Sequence, residues 1–457
     1  MELKGKKVLV IGTGASGIAA AQLLAKIGAD TILYDSNEKL CEEDIRAKSE
    51  AFKSIPIFLG KLDEDMISQI NIAVLSPGVP LDLPIVVRLF QRGVTVWGEI
   101  ELAYRCAKGR LAAITGTNGK TTTTALTGEI LKSYFEDAKV VGNIGIPYTS
   151  LALQMTDQTV TAAEISSFQL ETIDTFCPDV SAILNITPDH LNRHHTLECY
   201  TAVKESITKN QKPGQVCVLN YEDELLRTFG KTMDHYLKVI YFSSKRKLER
   251  GLYLDEKSIF LSDENGIQKI ADTCELNLLG THNYENVMAA IAITRALGVP
   301  LEKIREVLKT FQAVAHRIEY VEEIAGVRYY NDSKATNPDA AIQGIRAMER
   351  PTWLIGGGYD KQSEYGDWID AFDGKVEKLV LIGETKEKIA NEASAKGFTD
   401  FVMCETLKEA VTFCHDRAKP GDAVLLSPAC ASWDMFPNYE KRGELFKELV
   451  HSFASFA

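Results

Sequence analysis

Strand-like apolar runs alternate with helical patterns along almost the whole chain. Runs such as KKVLVIG, ADTILYD and RLAAITG are short and apolar, and each ends in a glycine or an aspartate. The stretches that follow place apolar residues at helical spacing, for example over residues 17–27. Because parallel strands need a crossover helix between them, this alternation is typical of sheets covered by helices on both faces. The pattern predicts an α/β protein.

The alternation falls into three blocks, which we place at residues 1–107, 108–313 and 314–457. The second block closes on NYENVMAAIAITRALG, in which the apolar residues form one helical stripe. Gly298 and Pro300 then follow in the usual order for the end of a helix. With 457 residues, the chain has enough length for three domains of about 150 residues each.

Composition and charge narrow the class of protein. The chain has 51 basic and 63 acidic side chains and a net charge of −12, so we expect neither nucleic acid nor an anionic membrane as a partner. No window holds the roughly 18 apolar residues of a membrane span, and the N-terminal MELKGKKVLV lacks a secretory signal pattern. Nine cysteines without CxxC spacing argue against a disulfide framework and a structural zinc site. These features favour a soluble, cytoplasmic protein.

A first glycine loop follows the first strand, in the stretch VLVIGTGASGIAA. Gly12, Gly14 and Gly17 fall between a strand and a helix, and Asp35 ends the next strand 23 residues after Gly12. This is the dinucleotide-binding arrangement, in which the backbone and the positive end of a helix receive a diphosphate. A glycine-bearing turn without a ligand remains the alternative. The loop predicts a ligand that carries a diphosphate.

A second glycine loop, ITGTNGKTTTTA, follows the strand that opens the central block. Gly116, Gly119, Lys120 and Thr121 stand where backbone N–H groups, a lysine and a hydroxyl can hold phosphates and Mg²⁺. The spacing departs from GxxxxGK[ST], because Ile114 occupies the position of the first glycine. ATP is the ligand that we expect here.

Two segments after this loop supply candidate metal ligands. Phosphoryl chemistry usually needs a carboxylate at the end of a neighbouring strand, and Glu164 ends the run TVTAAE; an ordinary strand-end charge is the alternative. The segment NITPDHLNRHH contains Asp189, His190, His194 and His195. Pro188 and the lack of a HExxH glutamate weaken a zinc interpretation. We therefore expect His190 to be a ligand of a second Mg²⁺, and His194 and His195 to be ordinary loop residues.

Several motifs together resemble the ATP-dependent Mur ligases of peptidoglycan synthesis, and within them the branch that adds D-glutamate to UDP-N-acetylmuramoyl-L-alanine. The motifs are GTNGKTT, EISSFQL, NITPDH, LLGTHNYEN, HRIE, NDSKATN and SPACASWDMFPNYEKRG. They cover the chain in the family's domain order. The resemblance implies an N-terminal Rossmann-like domain for the UDP substrate, a central P-loop ATPase-like parallel sheet for ATP, and a C-terminal Rossmann-like domain for the amino acid.

The resemblance also assigns ligands to single residues. Those expected at the UDP substrate are Gly14, Ser16, Asp35, Ser36 and Asn143. Those expected at ATP are Gly116, Thr117, Asn118, Gly119, Lys120, Thr121, Thr122, Asn283, Asn286, Arg317 and Asp332. Helix capping remains the alternative for Asn283, and a surface salt bridge for Arg317. Two Mg²⁺ ions are implied, with Thr121, Glu164, His190 and a carbamylated Lys204 as their ligands.

Three strand ends in the last block are rich in polar residues. Ligands of open parallel sheets bind beyond the carboxyl ends of the strands, and a lysine with hydroxyl donors suits the two carboxylates of D-glutamate. The resemblance implies a clamp made of Thr336, Lys361, Ser432, Trp433 and Tyr439. Related enzymes often have another apolar residue where Trp433 stands, and phenylalanine where Tyr439 stands. Asp332 and Lys334 are expected to position the phosphates.

The implied reaction is a two-step amide synthesis through an acyl phosphate. Catalytic roles fall to Lys120, His190, Lys204 and Lys334, and either His190 or Asp189 could assist loss of the amine proton. The implied role is in cell wall biogenesis, and hence in cell shape and division, for a monomer that acts on small molecules. Three rivals remain: a ligase for another amino acid, a nucleotide-driven switch that binds a UDP-sugar, and a nicotinamide oxidoreductase.

Overall fold

The computed structural model describes residues 3–143, 145–312 and 315–454. The chain folds into two compact units. Unit 1 takes in the chain up to Asp272 together with Glu285–Leu308, and unit 2 takes in Thr273–Tyr284 and the chain from Lys309 onward. The expected boundary between 313 and 314 lies outside the described residues. The boundary after 107 stays a prediction.

The first sheet of unit 1 is parallel throughout and has five strands. Its elements are β1 Lys7–Ile11, α1 Ala15–Lys26, β2 Asp30–Asp35, α2 Glu42–Arg46, β3 Ile57–Leu59, α3 Glu64–Ser68, β4 Ile72–Leu75, α4 Pro84–Gln91, β5 Thr95–Gly98 and α5 Glu99–Cys106. The strand order is β3-β2-β1-β4-β5. The chain therefore reverses direction across the sheet between β1 and β4, and that reversal point is where open α/β sheets bind ligands.

The helix expected over residues 17–27 begins two residues earlier. Gly14 is its N-cap in extended conformation, and α1 starts at Ala15. Gly17 lies inside the first turn because the helix passes very close to the loop: an added Cβ would lie 1.9 Å from the carbonyl oxygen of Gly12. The glycine that looked like the start of the helix is needed for close packing.

The second sheet of unit 1 has nine strands. The strands of this sheet and the helices between and after them are, in chain order, β6 Arg110–Thr115, α6 Lys120–Lys132, β7 Ala138–Gly142, α7 Tyr148–Leu151, β8 Val160–Glu164, α8 Ser167–Leu170, β9 Val180–Ile183, α9 Leu191–His194, α10 Leu197–Glu205, β10 Val216–Asn220, α11 Glu224–Met233, β11 Lys238–Ser243, β12 Gly251–Asp255, β13 Ser258–Asp263, β14 Gly266–Asp272, α12 Thr281–Ala296 and α13 Leu301–Thr310. The order is β14-β13-β12-β11-β10-β9-β6-β8-β7. The P-loop strand β6 thus lies between β9 and β8.

The central sheet is mostly parallel, as predicted, and has one antiparallel edge. The strands from β7 to β12 pair in parallel, but β12 with β13 and β13 with β14 pair antiparallel. Only two residues separate each of these last pairs, so the connections are tight hairpins rather than crossovers. The edge lies far along the sheet from β6 and leaves the nucleotide loop unaffected.

Unit 2 contains a six-stranded sheet with one antiparallel edge. Its elements are β15 Glu319–Ile324, β16 Val327–Asn331, α14 Pro338–Arg346, β17 Thr352–Gly356, α15 Gly366–Asp370, β18 Val376–Leu381, α16 Lys386–Ala395, β19 Phe401–Met403, α17 Leu407–Arg417, β20 Ala423–Leu426 and α18 Tyr439–Ala454. The order is β15-β16-β20-β17-β18-β19, with β15 antiparallel to β16. Since β20 lies between β16 and β17, the three polar strand ends predicted from the sequence are neighbours.

Short 3-10 helices complete the fold, and the cores are apolar. The 3-10 helices are Glu50–Lys53, Ala152–Gln154, Ser206–Thr208 and Thr273–Glu275. Strands β1, β6 and β20 are almost wholly buried, as expected of strands with helices on both faces. Within the described part of the chain, no helix combines the length and apolar character needed to cross a bilayer.

Candidate functional site

The first glycine loop is shaped by close contacts. Gly12 has a φ of +102°, and an added Cβ there would lie 2.7 Å from Ser76 Oγ. Gly14, in contrast, has open space around it, since an added Cβ would meet nothing within 4 Å. The helix α1 begins without a side-chain cap. The loop therefore presents backbone and a helix N-terminus to an open face, which suits a diphosphate.

Asp35 braces this loop from the end of β2. Its Oδ2 accepts hydrogen bonds from the Thr13 amide at 2.9 Å and the Thr13 hydroxyl at 2.8 Å. Its Oδ1 accepts from the amide of Asn37 at 3.0 Å. The acidic residue predicted to contact the ligand thus also holds the loop in shape. Ser16 and Ser36 lie close by in the chain, at the first turn of α1 and after β2.

The second glycine loop ends in a left-handed residue at the start of α6. Gly116 and Gly119 have φ values of +149° and +85°, and Gly119 is the N-cap of α6 without a side-chain cap. The Lys120 ammonium folds back onto the carbonyl oxygens of Gly116 and Thr117, each at 2.9 Å. Lys120, Thr121 and Thr122 form the first turn of α6. Loop, lysine and hydroxyls are therefore assembled as in a phosphate cradle.

The strand end after β9 supports the second loop. Asn185 accepts from the Asn118 amide through Oδ1 at 2.8 Å and donates back to the Asn118 carbonyl at 3.1 Å. The Thr117 hydroxyl donates to the Thr187 carbonyl at 3.1 Å and accepts from its amide at 3.0 Å. The NITPDH segment therefore fixes the shape of the loop as well as carrying His190.

Glu164 and Asn143 lie at the carboxyl ends of adjacent strands beside β6. Glu164 is buried and pairs in register with Ile114 on one side and Gly142 on the other. Asn143 Nδ2 donates to Glu164 Oε1 at 3.0 Å. Because β6 leads directly into the glycine loop, this carboxylate stands at the edge of the sheet where the phosphates are expected.

Lys204 is almost fully buried beneath the second loop. Its Nζ donates to the carbonyl of Gly116 at 2.9 Å and lies 4.7 Å from the centroid of the Tyr200 ring. Burial, and after it the nearby Lys120 charge, hold the pKa of Lys204 well below the usual lysine value. The fold makes Lys204, which the sequence places in a helix, a buried group in contact with the loop.

The histidine segment divides into one exposed and one anchored ring. His190 has a left-handed backbone, is about half exposed, and lies 4.8 Å from the Phe168 ring between centroids. His194 is buried, and its Nε2 lies 3.0 Å from Ser167 Oγ. The expectation that His194 is an ordinary loop residue is therefore wrong: it ends α9 and packs against α8. His195 is exposed, with a φ of +67°.

The two asparagines of GTHNYEN lie in the first turns of α12. Asn286 Oδ1 accepts from the Thr123 hydroxyl at 3.3 Å, and an added Cβ on Gly119 would lie 2.2 Å from that same oxygen. Asn286 is thus packed against the second loop. Asn283 lies inside the helix rather than at its N-cap, because α12 begins at Thr281, and its Nδ2 donates to the carbonyl of Leu279 at 2.8 Å.

Within unit 2, Arg317 and Asp332 lie at the start of the domain. Arg317 Nε is buried without a hydrogen-bond partner among the described residues. Asp332 accepts from the Ser427 hydroxyl at 2.7 Å, and burial raises the pKa of Asp332 to about 7. Among the described residues this Nε therefore takes no part in a surface salt bridge, and an unpaired N–H is suited to an anion.

The expected amino-acid clamp brings aromatic rings next to lysines. Lys361 Nζ lies 5.1 Å from the centroid of the Trp433 ring, and Lys334 Nζ lies 5.5 Å from that of Tyr439. Trp433 is 62% exposed. Ser432 is buried beside it, and the Thr336 amide donates to the Lys334 carbonyl at 2.9 Å. All five clamp residues belong to unit 2 and lie at or near the ends of β16, β17 and β20.

The three sheets and the two glycine loops are those of an ATP-dependent ligase, and three family models of such ligases match the chain. The Mur ligase MurD-like N-terminal domain matches residues 6–98, the Mur ligase middle domain matches 114–294, and the Mur ligase glutamate ligase domain matches 316–430. Each match covers one of the three sheets. The chain belongs to the Mur ligase family.

Curated relatives narrow the similarity further. The chain is 55% identical over 452 residues to the UDP-N-acetylmuramoylalanine--D-glutamate ligase of Lachnoclostridium phytofermentans, and the alignment covers 99% of each chain. It is 53% identical to the enzyme of that name from Lachnospira eligens, over 99% of this chain and 100% of the relative.

Solved structures share the fold at lower identity. UDP-N-acetylmuramate-alanine ligase MurC from Thermotoga maritima aligns with a TM-score of 0.59 at 21% identity, covering 98% of this chain and 99% of that one. MurF ligase from the same organism, in complex with ADP, aligns with a TM-score of 0.59 at 17% identity over 99% and 96%. These structures support the three-domain α/β fold.

Some residues that shape the site were missed in the sequence. Asn185, Thr187 and Tyr200 all contact the second loop or its supports, although the sequence analysis assigned them no role. Their common signal is position: two follow the buried strand β9, and Tyr200 lies one helical turn before Lys204. Polar residues at strand ends next to a glycine loop are therefore worth including in a predicted site.

Proposed function

We propose that the chain is an ATP-dependent, ADP-forming ligase that adds D-glutamate to UDP-N-acetylmuramoyl-L-alanine in the cytoplasmic stage of peptidoglycan precursor synthesis. The product serves cell wall biogenesis, and through it cell shape and cell division. The relatives with this name, at up to 55% identity over nearly the full chain, support the choice of substrates. We further propose that the enzyme acts as a monomer on small molecules, without nucleic acid or membrane partners.

The observation that carries the proposal is the presence of two unlike glycine loops in unit 1. The first loop has an open face and no lysine at the start of its helix, although the Lys48 ammonium donates to the Thr13 carbonyl at 3.5 Å; the second has Lys120 at the helix start and Glu164 at a neighbouring strand end. We assign the UDP-linked substrate to the first loop, through Gly14, Ser16, Asp35, Ser36 and Asn143. We assign ATP to the second loop.

The second loop fits a triphosphate. Gly119 takes a left-handed φ, α6 starts without a side-chain cap, and Lys120 rests on loop carbonyls from which it can turn to phosphate oxygens. ATP is held in this proposal by residues 116–122, Asn283, Asn286, Arg317 and Asp332. The unpaired Arg317 Nε supports a contact with a phosphate oxygen.

The donor set beside the loop fits Mg²⁺. Among the described residues, no group of three or more His, Cys, Asp or Glu side chains is close enough to hold a metal by itself. Mg²⁺ usually takes one or two carboxylates together with substrate phosphates, so Thr121 and the buried Glu164 suit one ion. His190 and Lys204 would hold a second. Bound Mg²⁺ would neutralise phosphate charge.

Lys204 fits carbamylation by its protonation state. A lysine must lose its proton before its nitrogen can attack carbon dioxide, and burial favours the neutral amine. The carbamate would replace a positive charge with an oxygen ligand suited to Mg²⁺. The buried position next to Gly116 supports this role.

The chemistry of the chain's own residues follows from these positions. The alanyl carboxylate of the acceptor attacks the γ-phosphorus of ATP, giving an acyl phosphate and ADP. The amine of D-glutamate attacks the acyl carbon, and the tetrahedral intermediate expels phosphate. Lys120 and Lys334 stabilise the developing negative charge by preorganised electrostatics. Asp189 and His190, at the rim of the loop, are both candidates to accept the amine proton.

D-glutamate is assigned to the strand ends of unit 2. Thr336, Lys361, Ser432, Trp433 and Tyr439 supply an ammonium, hydroxyls and aromatic walls, which suit a small dicarboxylate. The proximity of Lys361 to the exposed Trp433 supports this assignment.

A substrate panel tests the proposal. Phosphate release and product mass are measured with ATP, UDP-N-acetylmuramoyl-L-alanine and each of a set of amino acids. We expect release only with D-glutamate and the acceptor present, and a product heavier by one glutamyl residue. Release with a different amino acid would identify another ligase, release indifferent to amino acids would favour a nucleotide-driven switch, and NADH oxidation would favour an oxidoreductase.

A further inference from the structure

A buried carboxyl group lies between the two sheets of unit 1, outside the residues assigned above. Glu99 is the first residue of α5 and is 1% exposed. Its Oε1 accepts from Gln169 Nε2 at 2.6 Å, whereas its Oε2 is buried without a hydrogen-bond partner among the described residues. Burial raises the pKa of Glu99 to about 7. A buried polar atom without a partner destabilises a fold, so packing alone gives no reason for a glutamate here.

The partner of Glu99 caps the helix that follows Glu164. Gln169 Oε1 accepts from the amide of Ser166 at 2.8 Å, and the Ser166 hydroxyl accepts from the Gln169 amide, forming a capping box at the start of α8. Because a backbone donor occupies the side-chain oxygen, the NH₂ group of Gln169 must face Glu99. Glu99 is therefore the acceptor that fixes the orientation of this cap.

Further contacts join α5 to the loop after α8. The Gly98 amide donates to the Thr172 carbonyl at 3.3 Å. The fully buried Glu101 carboxylate accepts, at 2.9 Å each, from the amides of Asp174, Thr175 and Phe176. We call residues 98–101 with these partners the α5 seam. The seam holds the end of the first sheet against the segment that begins at Glu164.

The other side of the seam faces the first glycine loop. Glu99 and Gln169 line a narrow cavity whose lining also includes Ser76 and Pro77, after β4. Ser76 in turn lies against Gly12, as the close approach to an added Cβ shows. The two other charged residues that line the cavity, Arg193 and Glu171, form an ion pair with each other. Glu99 thus stands between the first glycine loop and the Glu164 segment.

We propose that Glu99 is a positioning residue for the UDP-linked substrate: acting through Gln169, it fixes the first glycine loop relative to Glu164. The inference rests on the proposed function, in which this substrate spans both loops while its carboxylate reacts beside Glu164. No residue of the first loop is assigned to ATP, and D-glutamate is assigned to unit 2. Loosening the α5 seam should therefore lower the affinity for the UDP-linked substrate and leave the affinities for ATP and D-glutamate unchanged.

The test compares Glu99→Leu with Glu99→Gln. Leucine removes the oxygen atoms that accept the hydrogen bond from Gln169 and leaves its NH₂ group buried and unsatisfied. Glutamine keeps an oxygen atom at nearly the same place. We expect Glu99→Leu to raise the Kd and KM for UDP-N-acetylmuramoyl-L-alanine about tenfold, with the KM values for ATP and D-glutamate within about twofold of wild type. Glu99→Gln should bind UDP-N-acetylmuramoyl-L-alanine with an affinity close to that of the wild type. Glu64→Leu, at an exposed ion pair with Arg88 and Arg92, is the matched control.

Two results would overturn the inference: folded Glu99→Leu protein with unchanged acceptor affinity, or a parallel rise in all three KM values. If Glu99→Leu does not fold, Glu99→Asp carries the same test, because it withdraws the carboxylate oxygens from Gln169 by one CH₂ group. We expect the Kd and KM for UDP-N-acetylmuramoyl-L-alanine to rise about threefold, with the KM values for ATP and D-glutamate unchanged. Titration calorimetry measures acceptor binding without turnover. A wild-type protein that binds the acceptor but transfers no D-glutamate would therefore contradict the proposed function and not the role of Glu99.

Discussion

The two glycine loops of unit 1 look alike in the sequence, but the structure braces them with opposite chemistry. The first loop is held by a carboxylate, since Asp35 accepts hydrogen bonds from Thr13. The second is held by the neutral side-chain amide of Asn185 and by the backbone of Thr187, which pairs with the Thr117 hydroxyl, and it carries Lys120. A carboxylate beside a loop disfavours further negative charge, whereas an ammonium favours it. The difference teaches that bracing residues help to separate a diphosphate ester site from a triphosphate site.

Replacing Lys120 is the strongest way to break this comparison. Lys120→Ala removes the ammonium that stabilises the transferred phosphoryl group, so we expect phosphate release to fall by at least about 10³-fold. The Kd for the UDP-linked acceptor should stay within about twofold, measured by calorimetry. Lys132→Ala, at the exposed end of the same helix, is the control. Equal loss of both properties would mean that the loops do not serve separate ligands.

Replacing Gly17 should disturb the first loop and leave the second unchanged. An added Cβ would lie 1.9 Å from the Gly12 carbonyl oxygen, so Gly17→Ala must displace the loop backbone. We expect acceptor affinity to fall about 30-fold or more, with the Kd for ATP little changed, as measured on folded protein. Gly366→Ala, where a Cβ would meet only ordinary contacts from 3.4 Å, should bind both ligands normally. A parallel fall in ATP affinity would contradict the division between the loops.

Replacing Lys361 should spare both loops. Lys361→Ala removes the ammonium that lies over Trp433, so we expect the KM for D-glutamate to rise about tenfold or more while the KM for ATP stays within about twofold. Initial-rate kinetics with each substrate varied in turn provide the measurement. Lys386→Ala, which removes a surface partner of Glu405, is the control. The opposite pattern would remove Lys361 from the amino-acid clamp.

A separate effect, on stability rather than on binding or catalysis, is expected at the α5 seam. Burial raises the pKa of Glu99 from its ordinary value of 4.5 to about 7 in the folded protein, so between these two pH values the folded state holds a proton that the unfolded state has lost. Stability contributed by this group is therefore lost as pH rises from about 4.5 to 7, by about 3 kcal/mol in all. Glu99→Gln should gain stability relative to wild type between pH 5 and pH 8. Thermal unfolding at several pH values checks this, and an unchanged difference would contradict it.

Local patterns predicted the general fold and the loops, but contacts between distant segments escaped them. The strand ends and glycine loops stand out because buried strands and glycines carry strong local signals. Short strands such as β3 and β7 lack such signals and form because neighbours supply hydrogen bonds. Glu99 resembles any acid at a helix start. Only the fold brings it to Gln169, 70 residues later in the chain.

Burial was likewise not visible in the local sequence. Lys204 lies in CYTAVKESI, which has no feature of a buried lysine, and its burial depends on the position of α10 beneath the second loop. His194 is also buried, through packing of α9 against α8. Tertiary packing decides the burial of both residues, so sequence position alone does not predict it. The role of Lys204 was reached through resemblance to the family.

The placement of β20 has a consequence for synthesis on the ribosome. Among the strands that the structure describes this one is made last, yet it lies between β16 and β17 in the middle of its sheet. Nascent unit 2 must therefore keep a gap between two hydrophobic strands until residue 426 has emerged. From Gly356, where β17 ends, until Leu426 has been made, the facing edges of β16 and β17 are open to mispairing, and chaperone binding would protect them.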